Sequence, residues 1–210
     1  MKKIPVAAWI AAIVVALLVG GIGGFGLGVL STRVGSDFIN DCLEQEAYAE
    51  TKAPMKIDRE AFELEYPSNW KIDTASDIYD PDGMFKIESP GSAFVMFAFS
   101  KSELSPEDCL ESQVKSLSEA LQSPTRSEFK TYGNLSGNGV ILKGKCLGIK
   151  FAVKIFVYTS NGRGVIVVTH YPDEDFKYVE NGLKLIEDSL ILKNNSEQDA
   201  QEETDPVESQ

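Results

Sequence analysis

From Ile4 to Thr32 the chain carries no charged side chain, and that stretch constrains everything that follows it. As a helix rising about 1.5 Å per residue, Ile4–Leu30 is about 40 Å long, against about 30 Å of hydrocarbon in a bilayer. No polar face interrupts the run, so a helix buried in a soluble core accounts for it poorly. A cleaved signal peptide is the competing reading. Its apolar region usually spans about 7–15 residues and ends at a small-residue site. This run is much longer, and the pairs Gly26/Gly28 and Ala8/Ala12 are weak cleavage sites. The expectation is an uncleaved transmembrane anchor over residues 1–33 that meets the membrane through residues 4–30, with secretion after cleavage as the alternative.

Flanking charge sets the orientation. Lys2 and Lys3 precede the run; Arg33 alone follows it closely, before Asp37, Asp41, Glu44 and Glu46. Basic residues stay on the cytoplasmic side, which puts the N-terminus inside and the C-terminal domain outside, as a single-pass protein of the cell membrane. Ala16, Gly20, Gly24 and Gly28 recur at every fourth position and share one helix face. Two backbones can approach closely there, so the anchor is a candidate for homo-oligomer formation; the plainer reading is that glycine is common in membrane helices.

The 210 residues carry a net charge of −12, and the pI is near 4.6. Such acidity argues against nucleic acid as a partner, because phosphates demand a basic face. It argues equally against docking on anionic lipid. Part of the charge is local: residues 194–210 hold Glu197, Asp199, Glu202, Glu203, Asp205 and Glu208 with no Lys or Arg, the composition of a disordered acidic tail. Residues 34–56, polar and acidic with a short broken apolar stripe, read as a stalk. That leaves residues 57–193 as one globular domain.

Within the domain, Ala61–Tyr66 alternates as a strand and Trp70–Asp73 begins another. Met84–Glu88 and Ala93–Lys101 form a hairpin. Ser105-Pro106-Glu107-Asp108 opens a helix, with Ser105 as N-cap and Pro106 in the first turn, and Leu110, Val114, Leu117 and Leu121 form its buried stripe. Glu128–Tyr132, Gly139–Leu147, Ile149–Thr159 and Gly164–His170 read as four further strands, the last pair joined by Asn161-Gly162. In the third of these, Phe151, Val153, Ile155 and Val157 face one way and Lys150 and Lys154 the other. A final helix follows Pro172 and Asp173-Glu174-Asp175, with a stripe of Phe176, Val179, Leu183, Ile186 and Leu190. Strands, helix, strands, helix predicts an α+β fold: an antiparallel sheet of six to seven strands covered by helices, preceded by one transmembrane helix.

The run Phe62-x-Leu64-x-Tyr66-Pro67-x-x-Trp70 resembles the F-x-Y-P-x-G-W opening of PsbP-like domains, a superfamily shared with a Ran-binding nuclear-import factor. The later order of strands, Asn-Gly hairpin and acidic-capped terminal helix extends the resemblance over residues 57–193. Ser68-Asn69 replaces the usual glycine-containing turn, which Asn69 can accommodate in the left-handed region. The resemblance implies a non-enzymatic binding or accessory module and carries over no ligand residues.

The residues themselves offer few chemical sites. His170 is the sole histidine; with Ser160 or Ser189 and a carboxylate it could serve a hydrolase, yet neither serine lies in a G-x-S-x-G turn. Asp77, Asp80 and Asp82, and again Asp173, Glu174 and Asp175, resemble fragments of a calcium loop without its later ligands. Of three cysteines, Cys109 and Cys146 are candidates for a disulfide, leaving Cys42 near the membrane; all three may equally stay reduced. Asn134-Leu135-Ser136 and Asn194-Asn195-Ser196 are glycosylation sequons only in a eukaryotic secretory host. The expectation is therefore a tethered, non-catalytic domain that binds an envelope protein partner, with no catalytic, cofactor or metal residues assigned. An envelope hydrolase or metal-dependent enzyme, and a small-ligand carrier, are the alternatives.

Overall fold

Alternating apolar side chains and two amphipathic helices build most of the domain. The computed structural model describes residues 47–100, 105–146, 148–160 and 163–193. The anchor with its Ala16/Gly20/Gly24/Gly28 face, Cys42, most of the stalk, the Asn161-Gly162 turn and the acidic tail lie outside the described residues. Among the described residues, no helix is long and apolar enough to cross a membrane.

The elements run β1 (Met55–Asp58), β2 (Phe62–Tyr66), β3 (Lys71–Ile72), β4 (Met84–Glu88), β5 (Phe94–Ser100), α1 (Pro106–Ala120), β6 (Gln122–Tyr132), β7 (Leu135–Cys146), β8 (Ile149–Ser160), β9 (Arg163–Pro172), α2 (Phe176–Ser189) and β10 (Ile191–Leu192). The α+β expectation holds, but the strands divide into two antiparallel sheets. One has seven strands in the order β3-β4-β5-β9-β8-β7-β6, the other three in the order β1-β2-β10. The second sheet was invisible in the sequence because β1 and β10 are short, and of β10's two side chains one is exposed and the other only partly buried.

The large sheet is buried on both faces. Toward α1 it presents Met96, Ala98, Val140, Leu142, Val153, Ile155, Val157, Ile166 and Val168 against Leu110, Val114, Leu117 and Leu121. The opposite face meets α2 and the small sheet through Phe85, Ile87, Val95, Phe97, Phe156 and Val167, packed on Phe62, Leu64, Val179, Leu183 and Ile186. Strict alternation of side chains along β5 and β9 makes this three-layer arrangement possible. Stacked phenyl rings of Phe62, Phe85, Phe97 and Phe99 fill the space between the two sheets.

Three local expectations need correction. β6 begins at Gln122 rather than Glu128; as the outer strand its side chains are nearly all exposed, so it shows no apolar period. It carries two register shifts against β7, and Ser123 has a φ of 51°. In α2, Phe176 is 37 % exposed and packs on Tyr171 instead of joining the buried stripe. The stalk boundary at residue 56 falls inside β1, and the chain is already held to the domain at Ala49, whose N–H donates to the Tyr178 carbonyl at 3.0 Å.

Asn69 explains that early docking. It does not use the left-handed region. Its Oδ1 accepts the Glu50 N–H, and its Nδ2 donates to the Tyr48 carbonyl, both at 3.0 Å. The Tyr48 ring meets Tyr178 edge-on at 5.0 Å, and Gly182 on α2 leaves room for Ala49, Pro67 and Trp70. Residues 48–50 thus form a strap across the first turns of α2.

Candidate functional site

His170 lies near the end of β9 on the α1 face of the large sheet, directly opposite Phe94 on β5. Its imidazole stacks between Phe94 at 5.0 Å and Phe151 at 4.9 Å. It is buried, and neither ring nitrogen has a hydrogen-bond partner. Burial pushes its pKa down to about 4, opposed slightly by the Ser92 backbone. The ring is therefore neutral near pH 7 and functions as a flat apolar plate.

Neither candidate serine reaches it. Ser189 lies at the end of α2, on the other side of the large sheet, where its hydroxyl donates to the Glu65 carbonyl and accepts the Glu65 N–H at 2.8 Å. That pair of bonds ties α2 to β2. Ser160 stands at the far end of β8, paired with Arg163, whereas His170 pairs with Val153. A nucleophile and base must lie within hydrogen-bond reach, so the hydrolase alternative loses its proposed residues.

Beside the histidine stack lies a buried charge cluster. Lys86 on β4 is 8 % exposed, sits 5.8 Å from the Phe94 ring centroid, and pairs with Glu88 at 2.6 Å and Asp73 at 3.1 Å. Burial alone would lower its pKa, but the two carboxylates outweigh that and raise it. On the α2 side, Lys154 meets Glu187 at 2.6 Å and lies 4.8 Å from the Phe129 ring and 5.0 Å from that of Tyr132. Burial, reinforced by the Glu187 charge, holds the Tyr132 phenol far above its usual range. Each lysine is thus matched by carboxylate: the Lys154–Glu187 pair joins the large sheet to α2, and the Lys86 cluster ties β4 to the end of β3.

Asp80 and Asp175 are likewise held by local contacts. Asp80 Oδ1 accepts the Asp82 N–H at 3.0 Å, and the Asp80 carbonyl accepts from Gly83 and Met84. Asp175 precedes α2 without a side-chain cap and instead accepts the Ser92 hydroxyl at 3.1 Å. Among the described residues no group of His, Cys, Asp and Glu is arranged to hold a metal ion.

The cysteine pair also needs correction. Cys109 and Cys146 are both free. Glu107, beside Cys109 at the start of α1, accepts from Asn138 near the start of β7, whereas Gly144 near the end of β7 abuts Leu121 past the end of α1. Helix and strand run in the same direction, so the two cysteines sit at opposite ends of them. Twelve helical residues put them roughly 18 Å apart, and a disulfide needs Cα atoms within about 7 Å. Burial, and secondarily Asp108, raises the Cys109 thiol pKa, which makes it unreactive. A cleft lined by Ile57, Arg59, Ile72, Tyr79, Pro81 and Phe85 has a volume of about 10 Å³, room for one water and no organic ligand.

No protein-family model matches the sequence, and no curated protein matches it. Several solved structures align with much of the chain at low identity. The Ran-binding protein Mog1p of Saccharomyces cerevisiae aligns with 67 % of this chain and 95 % of its own, at 8 % identity and a TM-score of 0.48. LpqN of Mycobacterium tuberculosis, described as involved in cell envelope biogenesis, aligns over 68 % of this chain and 91 % of its own, at 12 % identity and a TM-score of 0.42. The cyanobacterial PsbP of Synechocystis aligns over 67 % and 93 %, at 9 % identity and a TM-score of 0.44. Likenesses this distant transfer no partner, ligand or activity.

Proposed function

We propose that this chain is a membrane-tethered, extracytoplasmic binding or accessory domain without catalytic activity, working with an envelope protein partner. The observation that carries the reading is the uncharged run of residues 4–30 ahead of a folded domain. That run is long enough to span a bilayer. The interior of the domain supports the non-catalytic part. Its one histidine is a buried neutral plate, and its buried lysine is matched by carboxylates.

The test is crosslinking of the full chain in intact cells, followed by purification from the membrane fraction and intact-mass measurement. The expected result is retention of residues 1–33 and capture of a membrane or envelope protein at a defined ratio. A chain found only as a shorter soluble species removes the tether; a retained chain that captures nothing removes the partner.

A further inference from the structure

The chain's overall acidity conceals a local reversal of charge. Val140 and Leu142 on β7, and Val153 and Ile155 on β8, face α1. Their neighbours in the alternation, Lys143, Lys145, Lys150 and Lys154, share the opposite face. Register places Lys145 directly across from Lys150, and Lys143 across from Ala152. Lys154 is neutralised by Glu187. Lys143, Lys145 and Lys150 are exposed, and among the described residues none has a carboxylate within 4 Å. Like charges directly opposed weaken a sheet, so Lys145 and Lys150 stand together against the preference of the fold.

This patch lies at the end of the domain from which the N-terminal segment departs. The Lys150 carbonyl accepts the Asp173 N–H at 3.0 Å. Phe176, three residues on, opens α2 against Tyr171, and Tyr178 holds the strap at Ala49. Tyr48 is 61 % exposed, Phe176 in the first turn of α2 37 % and Ile149 at the start of β8 43 %. Only residues 34–46 separate the strap from the anchor, a length of chain that reaches about 45 Å at most. The tether therefore keeps this end near the bilayer.

Carboxylates flank the patch: Asp173, Glu174, Asp175 and Glu180, with Lys177 among them. Asp175 is engaged by Ser92. The others restrict positive potential to the β7–β8 side and keep the attraction modest. A short tether offsets that by holding the local concentration in the millimolar range.

We propose that this end of the domain docks on the anionic bilayer that holds the anchor, with Lys143, Lys145 and Lys150 against lipid headgroups and Tyr48, Phe176 and Ile149 at the interface. The proposal rests on the tethered reading above. The acidic tail is the less suitable occupant. It leaves from Lys193, which is fixed to the Arg59 carbonyl at the β1–β2 turn. Neighbouring Phe62 packs on Phe85 and Phe99, toward the Met84/Ser100 end of the large sheet, away from the lysines.

The experiment is lysine footprinting of the full chain in nanodiscs of phosphatidylcholine alone and of phosphatidylcholine with phosphatidylglycerol, read residue by residue by mass spectrometry. Lys143, Lys145 and Lys150 should label several-fold more slowly in the anionic discs, while Lys115 on the outer face of α1 labels equally in both. High salt should erase the difference. Equal rates for the three lysines in the two discs would overturn the proposal. Slow labelling in both, relieved by deleting residues 194–210, would also overturn it and assign the patch to the tail. A chain that fails to enter discs removes the anchor reading. Its labelling is then read with phosphatidylglycerol vesicles, where slowing upholds docking without a tether and unchanged rates remove docking too.

Discussion

Lys154 and Glu187 meet at 2.6 Å across the boundary between the large sheet and α2. The contact is half-buried, and the Lys154 ammonium also lies over the rings of Phe129 and Tyr132. Lys154→Ala removes the ion pair and both ring contacts together and should lower the unfolding free energy by about 1–2 kcal/mol. Glu187→Gln, which keeps a hydrogen-bonding group, should cost less. Urea titrations of the two variants check the order.

His170 makes stability depend on pH in a defined window. Its folded pKa of about 4 lies below the ordinary 6.5, so the unfolded chain binds the proton first. The neutral ring's contribution is complete above about pH 6.5, falls as pH drops toward 4, and changes no further below that. The loss amounts to about 3 kcal/mol. Carboxylates titrate in part of the same range, so the comparison is with His170→Phe, which keeps a flat ring between Phe94 and Phe151. The difference in unfolding free energy between wild type and variant should slope between pH 6.5 and 4 and be level above it. A level difference throughout would show that His170 is not buried neutral.

Gly182 is the position that admits the strap. A Cβ there would lie 2.7 Å from Trp70, 2.8 Å from Pro67 and 2.9 Å from Ala49. Alanine normally favours a helix interior over glycine by about 1 kcal/mol, yet Gly182→Ala should destabilise this domain. It should also free residues 48–50. Trypsin cleavage after exposed Lys52 is the measurement, and it should quicken in the variant.

The opposed lysines give a prediction of the opposite sign. Lys150→Glu turns a repulsive cross-strand pair into an attractive one and should raise stability by about 0.5 kcal/mol. Concentrated salt should remove the gain. Thermal unfolding at low and high salt distinguishes this from a packing effect.

The amino-acid pattern made the middle of each layer legible. The Ser105 cap was readable because its hydroxyl accepts the Asp108 N–H three residues on, a purely local relation. The stripes of α1 and α2 and the β4–β5 hairpin were readable because each buries one regular face. What escaped depends on contacts between distant segments. Asn69 looked like a turn residue, but its partners Tyr48 and Glu50 lie about twenty positions upstream. Lys154 looked like part of a solvated face, because nothing in β8 itself reveals that Glu187 will arrive from α2. The pairing of Lys145 with Lys150 could have been found: Gly148 adopts a φ of 87°, and counting outward from the Cys146–Ile149 pair brings the two lysines together.

On the tethered reading proposed above, the broken register of β6 has a consequence for life in two dimensions. Proteins confined to one membrane plane collide often and in similar orientations, conditions under which a straight, unpaired strand would zip onto its twin. Here the outermost strand carries Pro124, a left-handed Ser123 and two register shifts, and its Arg126 is pinned back onto α1 by Glu111 at 2.7 Å. Such a border offers no continuous ladder to an identical neighbour. Copies of the domain can crowd together on a surface and still separate.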